Sequence, residues 1–213
     1  MLSKEEILRS LSHLAKNYMQ IAIIWHLVLY IFLAVVLLAR TKVSNRMTGC
    51  LLSLLMLSVS LFAWLAKNPF NGLVFLLAGL AMFFFSYTVQ SQKINLNPSV
   101  KLRAVGIVIL LFGLLYPHFL GPPGFVYFYA APAGIIPCPT LLVITGFSLM
   151  FELRQFRKWM IILLDAAIFY SLFGVFVLRV YIDVVLVLAS VLLLLQLLAD
   201  KKLEKNSRVQ ALN

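Results

Sequence analysis

Three places in this chain carry side chains able to do chemistry in an otherwise apolar setting. Asp165 stands inside an uncharged run, Met160 to Leu178, with apolar neighbours on both sides. A carboxylate there is suited to relaying a proton or holding a cation, and intramembrane ionisable groups normally face a bundle interior or a water-filled path. Depth matching along neighbouring runs offers Ser53, Ser86 and Tyr87 as its partners, and the bland alternative is a carboxyl that ties helices together by hydrogen bonds. His26 follows Trp25, with Tyr30 one helical turn further on the same face. An imidazole can move a proton or bind a metal near neutral pH, or can be satisfied by a hydrogen bond to the tyrosine. The third place is Pro137-Cys138-Pro139-Thr140. Proline suits a first helical position, so Cys138 falls at a helix N-terminus, whose free N–H groups favour a thiolate; equally, the prolines can serve only to aim the helix.

His118, after Tyr116 and Pro117, lies toward the same end as His26 and Cys138. Two imidazoles and a thiolate would suit zinc or copper, although no ligand spacing joins them. Arg179 and Asp183 flank a short turn and are expected to pair at the surface. The chain has no G-x-S-x-G, H-E-x-x-H, P-loop or G-x-G-x-x-G, which weighs against a hydrolase, metalloprotease or nucleotide enzyme, and no cofactor is indicated. No lysine sits in the middle of a late apolar run, which weighs against a retinal Schiff base.

The elements that must position these residues are set by composition. Of 213 residues, 63% are hydrophobic and only 12% charged, against about 25% charged in an ordinary soluble domain. The charges lie between apolar runs near 19–39, 48–66, 70–89, 104–120, 138–153, 159–178 and 182–199, lengths that suit a hydrocarbon layer of about 30 Å. The expected fold is an all-α integral membrane protein, a seven-helix transmembrane bundle over 19–199, with an N-terminal amphipathic surface helix over 1–18 and a basic tail over 200–213. Ser3 and Glu6 form an S-x-x-E capping box, with Leu2 and Ile7 as a hydrophobic staple, and Ile7, Leu8, Leu11 and Leu14 make one apolar stripe. The first apolar run is full length and followed by basic residues, so it reads as a retained span and not as a cleaved signal.

Gly121-Pro122-Pro123-Gly124, Pro132, Gly134, Pro137 and Pro139 interrupt helix between the fourth and fifth runs, while no charge occurs from Arg103 to Glu152. Such a segment, 117–137, is expected to re-enter the membrane or fold against it. Arg40, Lys42 and Arg46, then Lys93, Lys101 and Arg103, then Arg154, Arg157 and Lys158, and finally Lys201, Lys202, Lys205 and Arg208 fall on one side of the alternation. The other side has only Lys4, Arg9, Lys16, Lys67 and Arg179. By the retention of positive loops, the N-terminus is outside and the tail is cytoplasmic, in the plasma or inner membrane. The net charge of +11 then belongs to membrane surfaces, and no nucleic-acid partner is implied. Cys50 and Cys138 are the chain's two cysteines and start opposite ends of their runs, so they are not expected to pair.

The tract Ala130-Ala131-Pro132 through Ile136-Pro137-Cys138-Pro139-Thr140, with Gly146 in the helix that follows, resembles a family of bacterial multi-span membrane proteins of unknown function that carries a P-C-P-T motif. Tyr18 and Trp25-His26 resemble the start of that family. The resemblance implies a compact bundle and points to Pro137–Thr140. The leading functional expectation is a small-solute or ion transporter or channel, with a path from an outer vestibule at His26, Tyr30, His118, Cys138 and Thr140 toward Asp165. The alternatives are a membrane-embedded metal or redox protein or enzyme using Cys138 and the histidines, and a non-catalytic partner subunit docking through its surface helix and tail.

Overall fold

The structure, a computed structural model, describes residues 3–38, 43–121, 124–152 and 156–210, with side chains as far as residue 201. Its regular elements in these segments are all helices, joined by turns and irregular connections with two isolated bridge pairs. The first helix, α1 (Lys4–Asn17), begins with the expected reciprocal cap: the Glu6 N–H reaches the Ser3 hydroxyl at 3.2 Å and the Ser3 N–H reaches the Glu6 carboxylate at 2.6 Å. The staple position Leu2 lies outside the described residues. Leu14 and Ala15 are buried while Glu5, Arg9 and Lys16 are exposed. At Tyr18 the chain turns directly into α2 (Met19–Leu37).

Five stretches are long and apolar enough to cross a membrane: α2; α3 (Asn45–Leu65); α4 (Pro69–Thr88); α8 (Arg157–Leu172) with its π-helical continuation to Val177; and Tyr181–Lys201, the first part of α9 (Val184–Gln210) with its preceding 3-10 turn. The expected fourth and fifth runs make shorter helices. For α5 (Val100–Leu115) the Ser99 hydroxyl caps the start and Pro117 sets the end, since the residue before a proline avoids the helical region; Tyr116 accordingly has ψ 104°. The central α7 (Pro137–Met150) ends where Phe151 turns extended. At 1.5 Å per residue these two are about 24 and 21 Å long. Between them the chain makes a 3-10 turn (Gly124–Val126) and α6 (Tyr127–Ala130), which rests on α2 and α5.

Of the 14 residues of α7, all but Cys138 are buried. Its closest neighbour is α5, and glycines let the two backbones touch: a Cβ on Gly146 would lie 2.5 Å from the Leu110 nitrogen, and one on Gly106 would lie 2.9 Å from the Gly146 oxygen. Lipid gives apolar helices little hydrophobic reason to associate, so such backbone contact is a main source of packing energy in a membrane bundle. The outward faces are apolar, as with Leu27, Leu61, Leu77, Phe84 and Leu188, each more than a third exposed. An exterior of this kind is stable in lipid and not in water.

The connections gather at two ends. At one, segments 43–45, 92–97 and 150–152 are joined by backbone hydrogen bonds, from Ile94 N–H to Val43 O at 3.0 Å, from Asn45 N–H to Gln92 O at 2.9 Å and from Asn97 N–H to Met150 O at 2.8 Å. Arg46 stands over the Tyr87 ring and Lys158 over the Phe85 ring here. Arg40, Lys42 and Arg154 lie outside the described residues. The opposite end collects α1, the 66–71 turn, residues 135–138 and the 173–183 turn around one cavity. Both cysteines are free.

Candidate functional site

Asp165 does not face the bundle interior. It is exposed, in a shallow groove of about 430 Å³ between α4 and α8 lined by Val74, Ala78, Ala81, Ile162 and Ala166. The inward stripe of α8 is made by Trp159, Met160, Leu163, Ala167 and Tyr170, and 100° per residue carries position 165 off that stripe. Its expected partners are engaged elsewhere. The Ser53 hydroxyl donates to Gly49 O at 2.7 Å, that of Ser86 to Met82 O at 2.7 Å, and Tyr87 lies under Arg46. A carboxylate facing lipid at mid-helix costs about 2.5–3.5 kcal/mol on insertion scales, so its position asks for a cause.

His26 is buried, with both ring nitrogens beside carbonyl oxygens. Nδ1 is 2.8 Å from Ala22 O and Nε2 2.8 Å from Leu114 O, one of the carbonyls left open where Pro117 ends α5. Tyr30 packs edge-on to the imidazole at 5.7 Å without bonding to it, and its hydroxyl donates to Phe128 O at 2.7 Å. These two side chains pin α2 to α5 and α6. His118 is half-buried against the Phe119 ring, 4.3 Å between centroids. Thr140 is wholly buried; its hydroxyl accepts the Gly134 N–H at 2.8 Å and donates to Ile136 O at 2.7 Å, closing the turn that leads into α7. Gly134 has φ +81° and lies under the Trp25 indole, so both its backbone angle and the space above it exclude a side chain. The expected metal constellation does not form: among the described residues no three His, Cys, Asp or Glu side chains are placed to share an ion. Both His26 ring nitrogens lie 2.8 Å from carbonyl oxygens, with the N–H of a neutral ring donating to one of them.

Cys138 of the expected set does reach a site, which it shares with Asp183. Far from pairing with Arg179 at the surface, Asp183 is 1% exposed. Arg179 has φ +55°, which breaks the helix between the two, leaving the arginine exposed while the 3-10 turn Tyr181–Asp183 carries the carboxylate inward. One carboxylate oxygen accepts the Tyr116 hydroxyl at 2.5 Å, and Cys138 lines the same cavity as this carboxylate. The other oxygen sits against Gly174, where any Cβ would collide with it. No ion pair with Asp183 occurs among the described residues.

Asp183, Cys138 and Gly174 form the floor of a cavity of about 320 Å³. Its walls are Phe119, Ile135, Ile136, Phe169, Phe173 and Leu178; Ile7, Leu11 and Leu14 of α1 cover it; Lys67, Asn68 and Asn71 stand at the mouth. The Tyr170 hydroxyl donates to Asn71 Oδ1 at 2.9 Å, bracing α8 against α4 beside the floor. Tyr116 stands behind the carboxylate, fully buried and stacked on Phe119. The arrangement suits an apolar molecule bearing one positive or proton-donating group. Sequence reasoning missed Asp183, Tyr116, Tyr170, Asn71 and Gly174. The available signal was an acid at the head of an apolar helix with a tyrosine at another helix end, but nothing in spacing joins them. No family model matches the chain, and no curated protein or solved structure matches it.

Proposed function

We propose that this protein is a membrane carrier for a small lipophilic cation, bound with its charge at Asp183. The observation that supports this best is a carboxylate buried at the floor of an apolar, aromatic cavity with no counter-cation among the described residues. Removing a charge from water is tolerated where a partner compensates it, and Tyr116 supplies a hydrogen bond but no opposite charge. The path toward Asp165 through the interior gives way to a blind cavity, because the α7 helix beneath it is packed on all sides. That is the form expected of one state of a carrier, open at one end and closed at the other.

In this reading the chain crosses the bilayer seven times, with α5 and the protein-sheathed α7 as short crossings. The α1 helix lies on the outer surface over the cavity, and the N-terminus is outside. The stitched end faces the cytoplasm of a plasma or inner membrane, and the basic residues at that end support this orientation. Maleimide labelling of single cysteines placed at Asn95 and Phe125 should mark opposite sides; labelling from one side would end the seven-span reading. The function is tested by equilibrium binding of tetraphenylphosphonium to the protein in lipid nanodiscs. Saturable binding lost in Asp183→Asn is the expected result, and wild-type binding by that variant would refute the assignment.

A further inference from the structure

The cavity and the Asp165 groove share three side chains, Phe70, Phe169 and Tyr170. Phe70 of α4 and Phe169 of α8 meet ring to ring, 5.8 Å between centroids, so this pair is the partition between the two spaces. Phe169 also stacks on Phe173, which lines the cavity. From Asp165 to Tyr170 is about 7.5 Å of helix rise, so the groove runs from the exposed carboxylate straight to the partition. Its bed is made of small residues, Ala78, Ala81 and Ala166, which leave room for a guest against the helix backbones. At the cavity's other opening stands Lys67, exposed and positively charged, an unfavourable neighbour for an approaching cation.

We propose that the α4/α8 groove is a lateral loading site, where a lipophilic cation already dissolved in the bilayer is held by Asp165 before it passes the Phe70–Phe169 pair into the cavity. This rests on the cation reading of the cavity and names its substrate as one that partitions into lipid. Charge complementarity selects the occupant, since a neutral acyl chain gains nothing from a carboxylate and an anion is repelled. The role also accounts for an acid kept on a lipid-facing surface. A carboxylate along the route raises the local concentration of the cation and so the rate of transfer, not the final affinity.

The test is stopped-flow binding of a fluorescent dimethylaminostyryl-pyridinium cation to the full-length protein in phosphatidylcholine nanodiscs. Asp165→Asn should slow association and release alike, by about tenfold, the low end of what electrostatic concentration of a ligand gives, with Kd unchanged. Ala78→Phe, which fills the groove, should do the same. Wild-type rates in Asp165→Asn, with faster association in Lys67→Ala, would overturn the proposal in favour of access from water. Dimeric protein that Ala78→Phe converts to monomer would overturn it in favour of a helix of a second copy filling the groove. Saturable binding that survives Asp183→Asn would refute the cavity assignment instead, a result readable separately from the kinetics.

Discussion

Replacing Tyr116 by phenylalanine probes the charge on Asp183 directly. The ring keeps its stacking on Phe119, and the only group removed is the hydroxyl 2.5 Å from the carboxylate. Hydrogen bonds between neutral groups in membrane bundles average about 0.6 kcal/mol in double-mutant cycles, while bonds to a charged group are worth about 1.5–3 kcal/mol. An ionised Asp183 therefore predicts that Tyr116→Phe costs about 1.5–3 kcal/mol in the wild type and about 0.6 kcal/mol in an Asp183→Asn background, where the amide oxygen still accepts. The difference, about 1–2 kcal/mol, exceeds the scatter of about 0.5 kcal/mol found for independent sites. Reversible unfolding of the four proteins in mixed detergent and dodecyl sulfate micelles, followed by circular dichroism, gives the cycle. Equal costs in both backgrounds would show an uncharged acid, and the cation reading of the cavity would fall with it. No cost in either background would refute the hydrogen bond itself.

Three further outcomes follow from the packing. Gly146→Ala drives a methyl group into the Leu110 backbone and should cost about 1–3 kcal/mol by the same assay, as overpacking does; a neutral result would mean that α5 and α7 are not in backbone contact. His26→Leu leaves the Leu114 carbonyl unpaired in the interior, for a loss of about 1–3 kcal/mol, and wild-type stability would exclude the histidine as the cap of α5. The Ser3 N–H and hydroxyl hold the Glu6 carboxyl below its ordinary range, so its contribution to α1 is present above that range and is lost as pH falls through the lowered value. Hydrogen exchange in the first turn of α1, corrected for intrinsic rate, should lose protection on acidification, and in Ser3→Ala at every pH; protection independent of both would remove the capping box from the account.

The sequence was informative wherever a local rule sets the structure. Ser3 and Glu6 announced the start of α1 and Pro137 opened α7, because caps and prolines act within a turn of themselves, whereas the expected fourth run continued past Pro117, where α5 ends. Which face of a helix looks inward was not legible. α8 is apolar on every side, so no polar stripe opposes its core stripe, and Asp165 had no pattern to mark it as outward. Asp183 failed for a different reason: the spacing from Arg179 suggested a surface pair, yet a left-handed arginine backbone turns the two apart. The site joins Tyr116, Cys138 and Asp183 from three helix ends, a juxtaposition that exists only after the bundle closes.

The four residues Pro137 to Thr140 show how a short motif can be legible as a place and opaque as a device. Pro137 sets the first turn of α7, Pro139 is buried within that turn, and Thr140 reaches back to tie Gly134 and Ile136, so these three fix where and at what angle the helix begins. A helix sheathed on all sides by protein meets the cavity only at its first turn, through Pro137 and Cys138. Cys138 is there because the other three hold it there, and it shares the cavity with Asp183 because the 173–183 turn folds back over the same end. The motif therefore contributes one side chain to the chemistry and three to its aim, and substituting the three should change binding through position while substituting Cys138 changes it through contact.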